Sequence, residues 1–158
     1  MKDNKIVDAN SISETLSAIR SMGLTIVFTN GCFDILHPGH VDYLQKAKDM
    51  GDLLVVGIND DASISRLKGA ERPIHELDDR LTMLAGLGCV DYVVPFSEDT
   101  PLSLIIDVKP DILVKGDDYT IEQIAGAKEV IANGGRVELI PLLKGYSTTD
   151  IINKIKSL

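Results

Sequence analysis

Short, continuous apolar runs alternate along this chain with segments whose apolar residues recur at helical spacing. An unbroken apolar run is typical of a strand that is buried on both faces of a parallel sheet, and the helices between such runs supply the right-handed crossovers that a parallel sheet needs. We therefore predict an α/β fold with a doubly wound, Rossmann-like, five-stranded parallel sheet. The predicted strands lie at residues 24–29, 53–58, 92–96, 111–115 and 137–142.

Helices are predicted between these strands, and several have recognisable N-caps. Ser11 and Thr120 each precede a Glu or Gln by three residues, which predicts capping boxes at two helix starts. The helix that opens at Thr120 is expected to end near Gly134, and Ser147 is expected to cap the last helix. The other predicted helices cover residues 12–22, 38–50, 61–67, 77–87 and 101–108.

Composition limits the partners of such a fold. The 158 residues carry a formal net charge of −8, so the chain is a poor candidate for binding nucleic acid or an anionic membrane. The apolar run 53–58 is too short to span a bilayer, and the N-terminal segment lacks the apolar region of a signal peptide. We expect a single domain over residues 1–158, located in the cytoplasm, with reduced thiols at Cys32 and Cys89.

Two of the three histidines follow the first predicted strand, and parallel sheets bind ligands beyond the carboxyl ends of their strands. Because Pro38 suits the first turn of a helix, His37 and His40 are both expected at a helix N-terminus. Backbone N–H groups and the helix dipole favour an anion there, and Gly39 leaves room for a phosphate. The alternative is that one histidine is a cap and the other packs in the core; the spacing favours the anion site.

These histidines end a longer stretch, residues 29–40 (TNGCFDILHPGH), that resembles the signature of the cytidylyltransferase-like nucleotidyltransferase superfamily. Within it the chain is most similar to the adenylyltransferases that make ADP-heptose from D-glycero-β-D-manno-heptose 1-phosphate. The resemblance covers about residues 10–156. It rests further on RLKG (66–69) with Arg72-Pro73, EDTP (98–101), LVKGDDY (113–119), KEV (128–130), ANGG (132–135) and STT (147–149).

The resemblance implies transfer of a nucleotidyl group from ATP to a sugar 1-phosphate, with release of pyrophosphate. Mg²⁺ is the implied cofactor, bridging phosphate oxygens with few ligands from the protein. Such in-line transfer depends on positioning and on charge stabilisation. The implied catalytic residues are His37, His40 and Lys68, and the implied nucleotide-binding residues are Asn30, Gly31, Cys32, Phe33, Asp34, Gly39, Lys115, Gly116, Asp117, Asp118, Ser147, Thr148 and Thr149.

Several of these residues also have an ordinary structural interpretation. Lys68 could be a solvated surface lysine, and the aspartates after Lys115 could bind a ribose hydroxyl or cap a turn. The hydroxyl groups of residues 147–149 could hold phosphate or form an N-cap, and the two roles are compatible. Asp34 is also a candidate for orienting the first histidine. Weaker candidates for the sugar phosphate, which could instead form surface ion pairs with acidic residues at 76, 78 and 79, are Arg66, Arg72 and Arg80.

Two other functions stay open at this point. One is a CTP-dependent cytidylyltransferase acting on glycerol 3-phosphate or another polyol or sugar phosphate. The glycerol-3-phosphate branch carries arginines where this chain has Gly88 and residues 142–145 (LLKG), which argues against it. The other is a non-catalytic nucleotide-binding module, against which the retention of both histidines and Lys68 weighs.

The resemblance also predicts partners. Related enzymes are commonly dimers, so we expect a homodimer. The heptose enzymes are often fused to a sugar kinase, and no kinase sequence is found in these residues. We therefore expect a stand-alone adenylyltransferase that receives its sugar 1-phosphate from a separate sugar kinase. Its product is expected to be a precursor of lipopolysaccharide core or S-layer glycans.

Overall fold

A computed structural model describes residues 4–158, so the first three residues of the predicted domain lie outside the described part. Five strands form one sheet in which every neighbouring pair is parallel. Their order across the sheet is β3-β2-β1-β4-β5. The strands are β1 (Ile26–Gly31), β2 (Leu53–Asn59), β3 (Tyr92–Phe96), β4 (Ile112–Gly116) and β5 (Arg136–Ile140).

Helices cover both faces of this sheet. One apolar cluster includes Leu44 and Leu84 and packs on one face, and a second includes Leu16 and Ile105 and packs on the other. Alternate residues of β1 point into the two clusters, since Val27 belongs to the first and Phe28 to the second. The helices are α1 (Ile12–Ser21), α2 (Pro38–Lys48), α3 (Asp61–Lys68), α4 (Leu77–Ala85), α5 (Leu102–Val108), α6 (Ala127–Ala132) and α7 (Thr148–Lys156).

The predicted doubly wound, parallel, five-stranded fold is therefore confirmed. From β1 the chain winds outward to β2 and β3, and then crosses back to build β4 and β5 on the other side. The direction of winding changes between β1 and β4, and in open α/β sheets the ligand crevice lies at this change, beyond the carboxyl ends of the strands. The segments that follow β1, β2 and β4 are thereby brought together.

Two local predictions are wrong. The capping box at Ser11 does not form, because Ser11 has helical dihedral angles (φ −102°, ψ −11°) and its side chain makes no capping hydrogen bond. The predicted single helix from Thr120 to about Gly134 is instead a 3₁₀ turn (Ile121–Gln123) followed, after a break, by α6. Gly126 adopts φ +84° in this break, and a Cβ there would lie 2.7 Å from Ile105 Cδ1, so close packing against α5 requires a glycine.

Two other predicted caps are confirmed. At Thr120 the backbone N–H donates to Gln123 Oε1 at 3.1 Å as part of a capping box. Ser147 Oγ accepts a hydrogen bond from the Asp150 N–H at 3.2 Å and begins α7. Both cysteines are free thiols, as expected. Within residues 4–158, no helix is long and apolar enough to cross a membrane.

Candidate active site

A cavity of about 680 Å³ opens at the carboxyl ends of the strands, where the change of winding predicts a ligand crevice. Most of the predicted site residues line it, although they come from segments far apart in the sequence. Those on its wall are Asn30, Gly31, Cys32, Phe33, Asp34, His37, Gly39, His40, Lys68, Arg72, Lys115, Gly116, Asp118, Thr148 and Thr149. The predicted residues that do not line it are Arg66, Arg80, Asp117 and Ser147.

The two imidazoles stack at the N-terminus of α2. His37 is the N-cap of this helix, and the ring centroids of His37 and His40 lie 3.7 Å apart with an interplanar angle of 20°. The edge of the Phe33 ring packs against His40 with centroids 5.4 Å apart. A Cβ on Gly39 would approach His37 Nδ1 to 3.0 Å and Tyr146 Cβ to 3.1 Å, so the glycine leaves room for the stack.

Burial keeps both imidazoles neutral near pH 7. Desolvation lowers the pKa of His40 to about 4, with a further lowering from the neighbouring His37. Desolvation also lowers the pKa of His37. His40 Nδ1 accepts a hydrogen bond from the His37 backbone N–H at 3.3 Å, which assigns the proton of the neutral ring to Nε2. His40 thus presents a neutral N–H donor, which suits hydrogen bonding to a phosphate oxygen.

Lys115 provides a buried cation on the β4 side of the cavity. Its Nζ donates to the Asn30 carbonyl oxygen at 3.3 Å and lies 5.0 Å from the centroid of the Tyr119 ring. Desolvation lowers the pKa of Lys115 to about 8, although the nearby carboxylate of Asp118 acts in the opposite direction. The lysine is therefore mostly protonated at neutral pH and close to its titration. A bound anion at this position would favour the charged form.

The opposite side of the cavity carries Lys68, at the end of α3, and Arg72, in the connection between α3 and α4. Lys68 is the last residue of α3 and is exposed, as the alternative of a solvated lysine also predicts. Arg72 is half-buried, and its Nε donates to Asp34 Oδ2 at 2.6 Å. Burial raises the pKa of the Cys32 thiol, although the positive charges of Lys68 and Arg72 act to lower it.

Asp34 does not orient a histidine, contrary to expectation. It accepts hydrogen bonds from the backbone N–H groups of Ile74 and His75 at 2.9 Å, in addition to that from Arg72. Burial alone would raise the pKa of Asp34, but these hydrogen bonds outweigh it and hold the pKa below its usual value. The carboxylate therefore fixes the connection between α3 and α4 against the loop that follows β1.

Arg80 and Arg66, two of the candidates for the sugar phosphate, make their contacts within the protein. Arg80 is fully buried, and it donates to the carbonyl oxygens of Cys32, Asn59 and His75 and to Asp61 Oδ1. Its partner is thus Asp61, and not the acidic residues at positions 76, 78 and 79. Arg66 pairs at the surface with Asp99, at 2.9 Å. Neither arginine lines the cavity.

The second aspartate of residues 117–118 lies at the cavity, whereas the first holds a turn. Asp117 Oδ1 accepts from the Leu142 N–H at 3.3 Å and joins the segments that follow β4 and β5. A Cβ on Gly116 would lie 2.6 Å from Asp118 Oδ1 and 2.9 Å from Leu142 Cδ2, so this turn closes tightly. Thr148 and Thr149 follow the N-cap Ser147 in the first turn of α7 and line the cavity.

Residues 28–154, which carry this entire cavity wall, match the family model described as cytidylyltransferase-like. The chain belongs to the cytidylyltransferase-like family. It is 58% identical over 152 residues to the bifunctional protein HldE of Halorhodospira halophila, covering 96% of this chain and 32% of that protein. It is also 52% identical over 153 residues to the HldE protein of Haemophilus influenzae, covering 97% of this chain and 32% of that one. The chain spans about a third of the length of these curated relatives.

Two solved structures show the same fold. A lipopolysaccharide core biosynthesis protein from Thermoplasma volcanium has a TM-score of 0.62 and 34% identity, covering 79% of this chain and 100% of that one. A pantoate-β-alanine ligase from Francisella tularensis, solved with an ATP compound and β-alanine, has a TM-score of 0.61. Its identity of 20%, over 97% of this chain and 78% of that one, is evidence for the fold alone.

Several side chains of this family member's cavity had no site role predicted from the sequence. Asn59 directly follows the apolar run of β2, so the rule that ligands bind at strand ends could have identified it. Tyr43 lies one helical turn after His40 on the same face of α2. Leu142, Leu143 and Tyr146 had no such signal, because their position depends on how the segment after β5 folds across the crevice. Others on the wall are Leu67, Asp99, Thr100, Pro101, Tyr119, Gln123, Ile124 and Ala125.

The carboxylates at the cavity suit a metal ion whose other ligands are phosphate oxygens. Among residues 4–158, no group of three His, Cys, Asp or Glu side chains is arranged to hold a metal ion. Mg²⁺ needs only one or two carboxylates when phosphate oxygens and water provide its other ligands. Asp118 is exposed at the cavity, whereas Asp34 is already engaged by Arg72 and Asp99 by Arg66. The side chains therefore fit Mg²⁺ bound to a triphosphate, with Asp118 as the available ligand.

Proposed function

We propose that this chain transfers AMP from ATP to a heptose 1-phosphate and releases pyrophosphate. A phosphate oxygen of the sugar attacks the α-phosphorus of ATP and forms the new P–O bond. The bond from that phosphorus to the α,β-bridging oxygen breaks, and its electron pair leaves with pyrophosphate. The attacking phosphate is already ionised at neutral pH, so the step needs no general base.

The stacked, neutral histidine pair at the N-terminus of α2 is the observation that carries this proposal. Two N–H donors and the helix N-terminus can stabilise the charge that develops on the α-phosphate without a change of protonation. His37 is N-cap and His40 lies in the first turn, so both rings lie at the positive end of the helix dipole. His37 and His40 are therefore the proposed catalytic residues, with Lys68 as a mobile cation for the phosphates.

The nucleotide is proposed to lie on the β4 side of the cavity. Lys115 carries a buried charge there, and Asp118 offers a carboxylate to a ribose hydroxyl or to Mg²⁺. Thr148 and Thr149 expose hydroxyl and N–H groups at the start of α7, where β- and γ-phosphate oxygens are favoured. Mg²⁺ bound to the triphosphate would neutralise part of its charge. Asn30, Gly31 and Cys32 line the cavity at the end of β1, between the proposed positions of the two substrates.

The choice of ATP and of a heptose phosphate is supported by the HldE relatives, which are 52–58% identical to this chain over nearly its whole length. A sugar kinase is proposed to supply the sugar 1-phosphate in the cytoplasm, where ATP is available. The homodimer and the single domain over residues 1–158 stay predictions, which light scattering and limited proteolysis test.

A matrix of substrates tests the proposed function. ATP, CTP, GTP and UTP are each incubated with heptose 1-phosphate, glucose 1-phosphate or glycerol 3-phosphate, and pyrophosphate release is measured. The proposal expects turnover with ATP and heptose 1-phosphate at a rate well above every other pair. Turnover only with CTP and a polyol phosphate contradicts it. ATP binding by calorimetry without product in any pair would indicate a non-catalytic module instead.

A further inference from the structure

Arg72 differs from the other arginines of this chain that were candidates for the sugar phosphate. Arg80 uses its Nε and both Nη atoms within the protein, and Arg66 uses Nε and Nη2. Arg72 donates only through Nε, to Asp34. Within the described residues neither of its Nη atoms donates a hydrogen bond, although the side chain is only 17% exposed and lines the cavity.

The ion pair with Asp34 fixes the direction of this guanidinium. The Asp34 side chain is 1% exposed and is itself held by the backbone N–H groups of Ile74 and His75. The backbone carbonyl of Arg72 is held as well, because Ser65 Oγ donates to it at 2.7 Å. A planar guanidinium that is anchored through Nε presents its two Nη groups in a fixed fork, which matches two oxygens of one phosphate.

The position of Arg72 separates it from the nucleotide side of the cavity. Lys68 and Arg72 lie in the segment that follows β2, whereas Lys115 lies at the end of β4, and β1 lies between these two strands in the sheet. Cys32 directly follows β1 and lines the same cavity, so it lies between the two groups of cations. If the nucleotide occupies the side of Lys115 and Thr148, the phosphate that faces Arg72 belongs to the other substrate.

We propose that Arg72 binds the phosphate of the acceptor sugar through its two Nη groups, and that Asp34 is the positioning residue that aims it. This inference rests on the proposed function, because it assumes an acceptor with a phosphate monoester. The acceptor phosphate has to approach the α-phosphorus in line. Misdirected Nη groups of Arg72 are therefore expected to weaken binding of the acceptor more than binding of ATP.

Steady-state kinetics of Arg72→Lys, Asp34→Asn and the double variant test this proposal. Lysine keeps the charge but cannot both pair with Asp34 and present a fork, so Arg72→Lys is expected to raise KM for the sugar phosphate at least tenfold. KM for ATP is expected to stay within about twofold of the wild type. Because Asp34 acts through Arg72, the double variant should be no worse in this KM than the worse single variant.

The exposed ion pair of Arg136 and Glu138, at 2.9 Å on β5, provides the matched control. Arg136→Lys and Glu138→Gln are expected to leave both KM values unchanged. The proposal is overturned if Arg72→Lys leaves KM for the sugar phosphate unchanged, or if KM for ATP rises instead. Arg72→Lys keeps Asp34 and its backbone partners, so this variant stays informative even if Asp34→Asn folds poorly.

An NMR titration tests the same pair without turnover. Inorganic phosphate is added to the ¹⁵N-labelled protein saturated with α,β-methylene-ATP, and the Cys32 amide and the Arg72 Nε–H signals are followed. Both signals are expected to shift in the wild type. In Arg72→Lys, the Cys32 amide is expected to reach half-saturation at a phosphate concentration at least tenfold higher than in the wild type. An Arg72 signal that does not respond overturns the proposal. If the wild type uses no sugar phosphate but this titration behaves as expected, the proposed function fails and the phosphate site stands.

Discussion

At the scale of single residues, the spacing of His37 and His40 was sufficient to predict a pair of side chains at a helix N-terminus. It could not predict that the rings stack at 3.7 Å, nor that burial lowers the pKa of His40 to about 4. Both properties arise only in the folded chain, where Phe33 packs against His40 and Tyr146 stacks beside His37. The assignment of neutral donors therefore required the structure.

Replacing His40 with alanine tests the role of this pair. His40→Ala is expected to lower kcat about 10²–10³-fold, because one donor to the developing charge is lost. The circular dichroism spectrum is expected to stay that of the wild type. His75→Ala is the matched control, since His75 lies outside the cavity wall, and its kcat should not change. An unchanged kcat in His40→Ala would exclude the proposed catalytic role.

The titration of Lys115 is expected to make kcat/KM for ATP depend on pH in the alkaline range. Because burial lowers the pKa of Lys115 to about 8, the side chain loses its charge as the pH rises through about 8. The value of kcat/KM for ATP is therefore expected to fall above this pH, by up to tenfold per pH unit, since this parameter reports on the free enzyme. Lys115→Arg keeps the charge at all these pH values and is expected to remove the decline. A decline that persists in the variant would assign it to another group.

At the scale of helices and strands, the sequence predicted the β3 bounds without error, because Tyr92–Phe96 is an apolar run bounded by polar residues. The strand predicted over residues 137–142 is β5, Arg136–Ile140, and a proline follows it at position 141. The break in the helix after Thr120 was not predicted. The capping box at Thr120 does form, and from the sequence alone it indicates the start of a continuous helix. The break is imposed by tertiary contacts, since Ile124 is buried with an extended backbone and Gly126 packs against α5.

Arg80 is expected to stabilise the fold, because it joins the ends of β1 and β2 to α4. Arg80→Met is expected to lower the free energy of unfolding by about 3–5 kcal/mol, since it leaves Asp61 and three carbonyl oxygens without their donor. Urea denaturation measures this change. Arg136→Met removes an exposed ion pair and is expected to cost less than about 1 kcal/mol. A stable Arg80→Met protein with a raised KM for the sugar phosphate would return Arg80 to the binding site.

At the scale of the whole molecule, a net charge of −8 coexists with a cavity that is close to electrically balanced. Three basic side chains (Lys68, Arg72, Lys115) and three acidic ones (Asp34, Asp99, Asp118) line it. Attraction for a triphosphate therefore depends on where the cations lie, on Mg²⁺ carried by the nucleotide, and on the N-termini of α2 and α7. The excess of negative charge lies elsewhere on the protein.

The sheet order gives the cavity two sides, one for each of the proposed anionic substrates. The end of β4 and the segment that follows β5 build the side with Lys115 and Thr148, whereas the segment that follows β2 builds the side with Lys68 and Arg72. In the proposed reaction the two substrates meet over the end of β1, next to the histidine pair. This arrangement was predictable in outline from the alternation of strands and helices, but the partition of the cations was not.

³¹P NMR of a single reaction tests whether these two sides of the cavity join AMP to a sugar phosphate. ATP, Mg²⁺ and D-glycero-β-D-manno-heptose 1-phosphate are mixed with the protein, and the phosphorus signals are followed. We expect pyrophosphate and the two coupled signals of a sugar–nucleoside diphosphate to appear together in equal amounts. Unchanged signals, or release of phosphate from ATP without a new diphosphate, would contradict it.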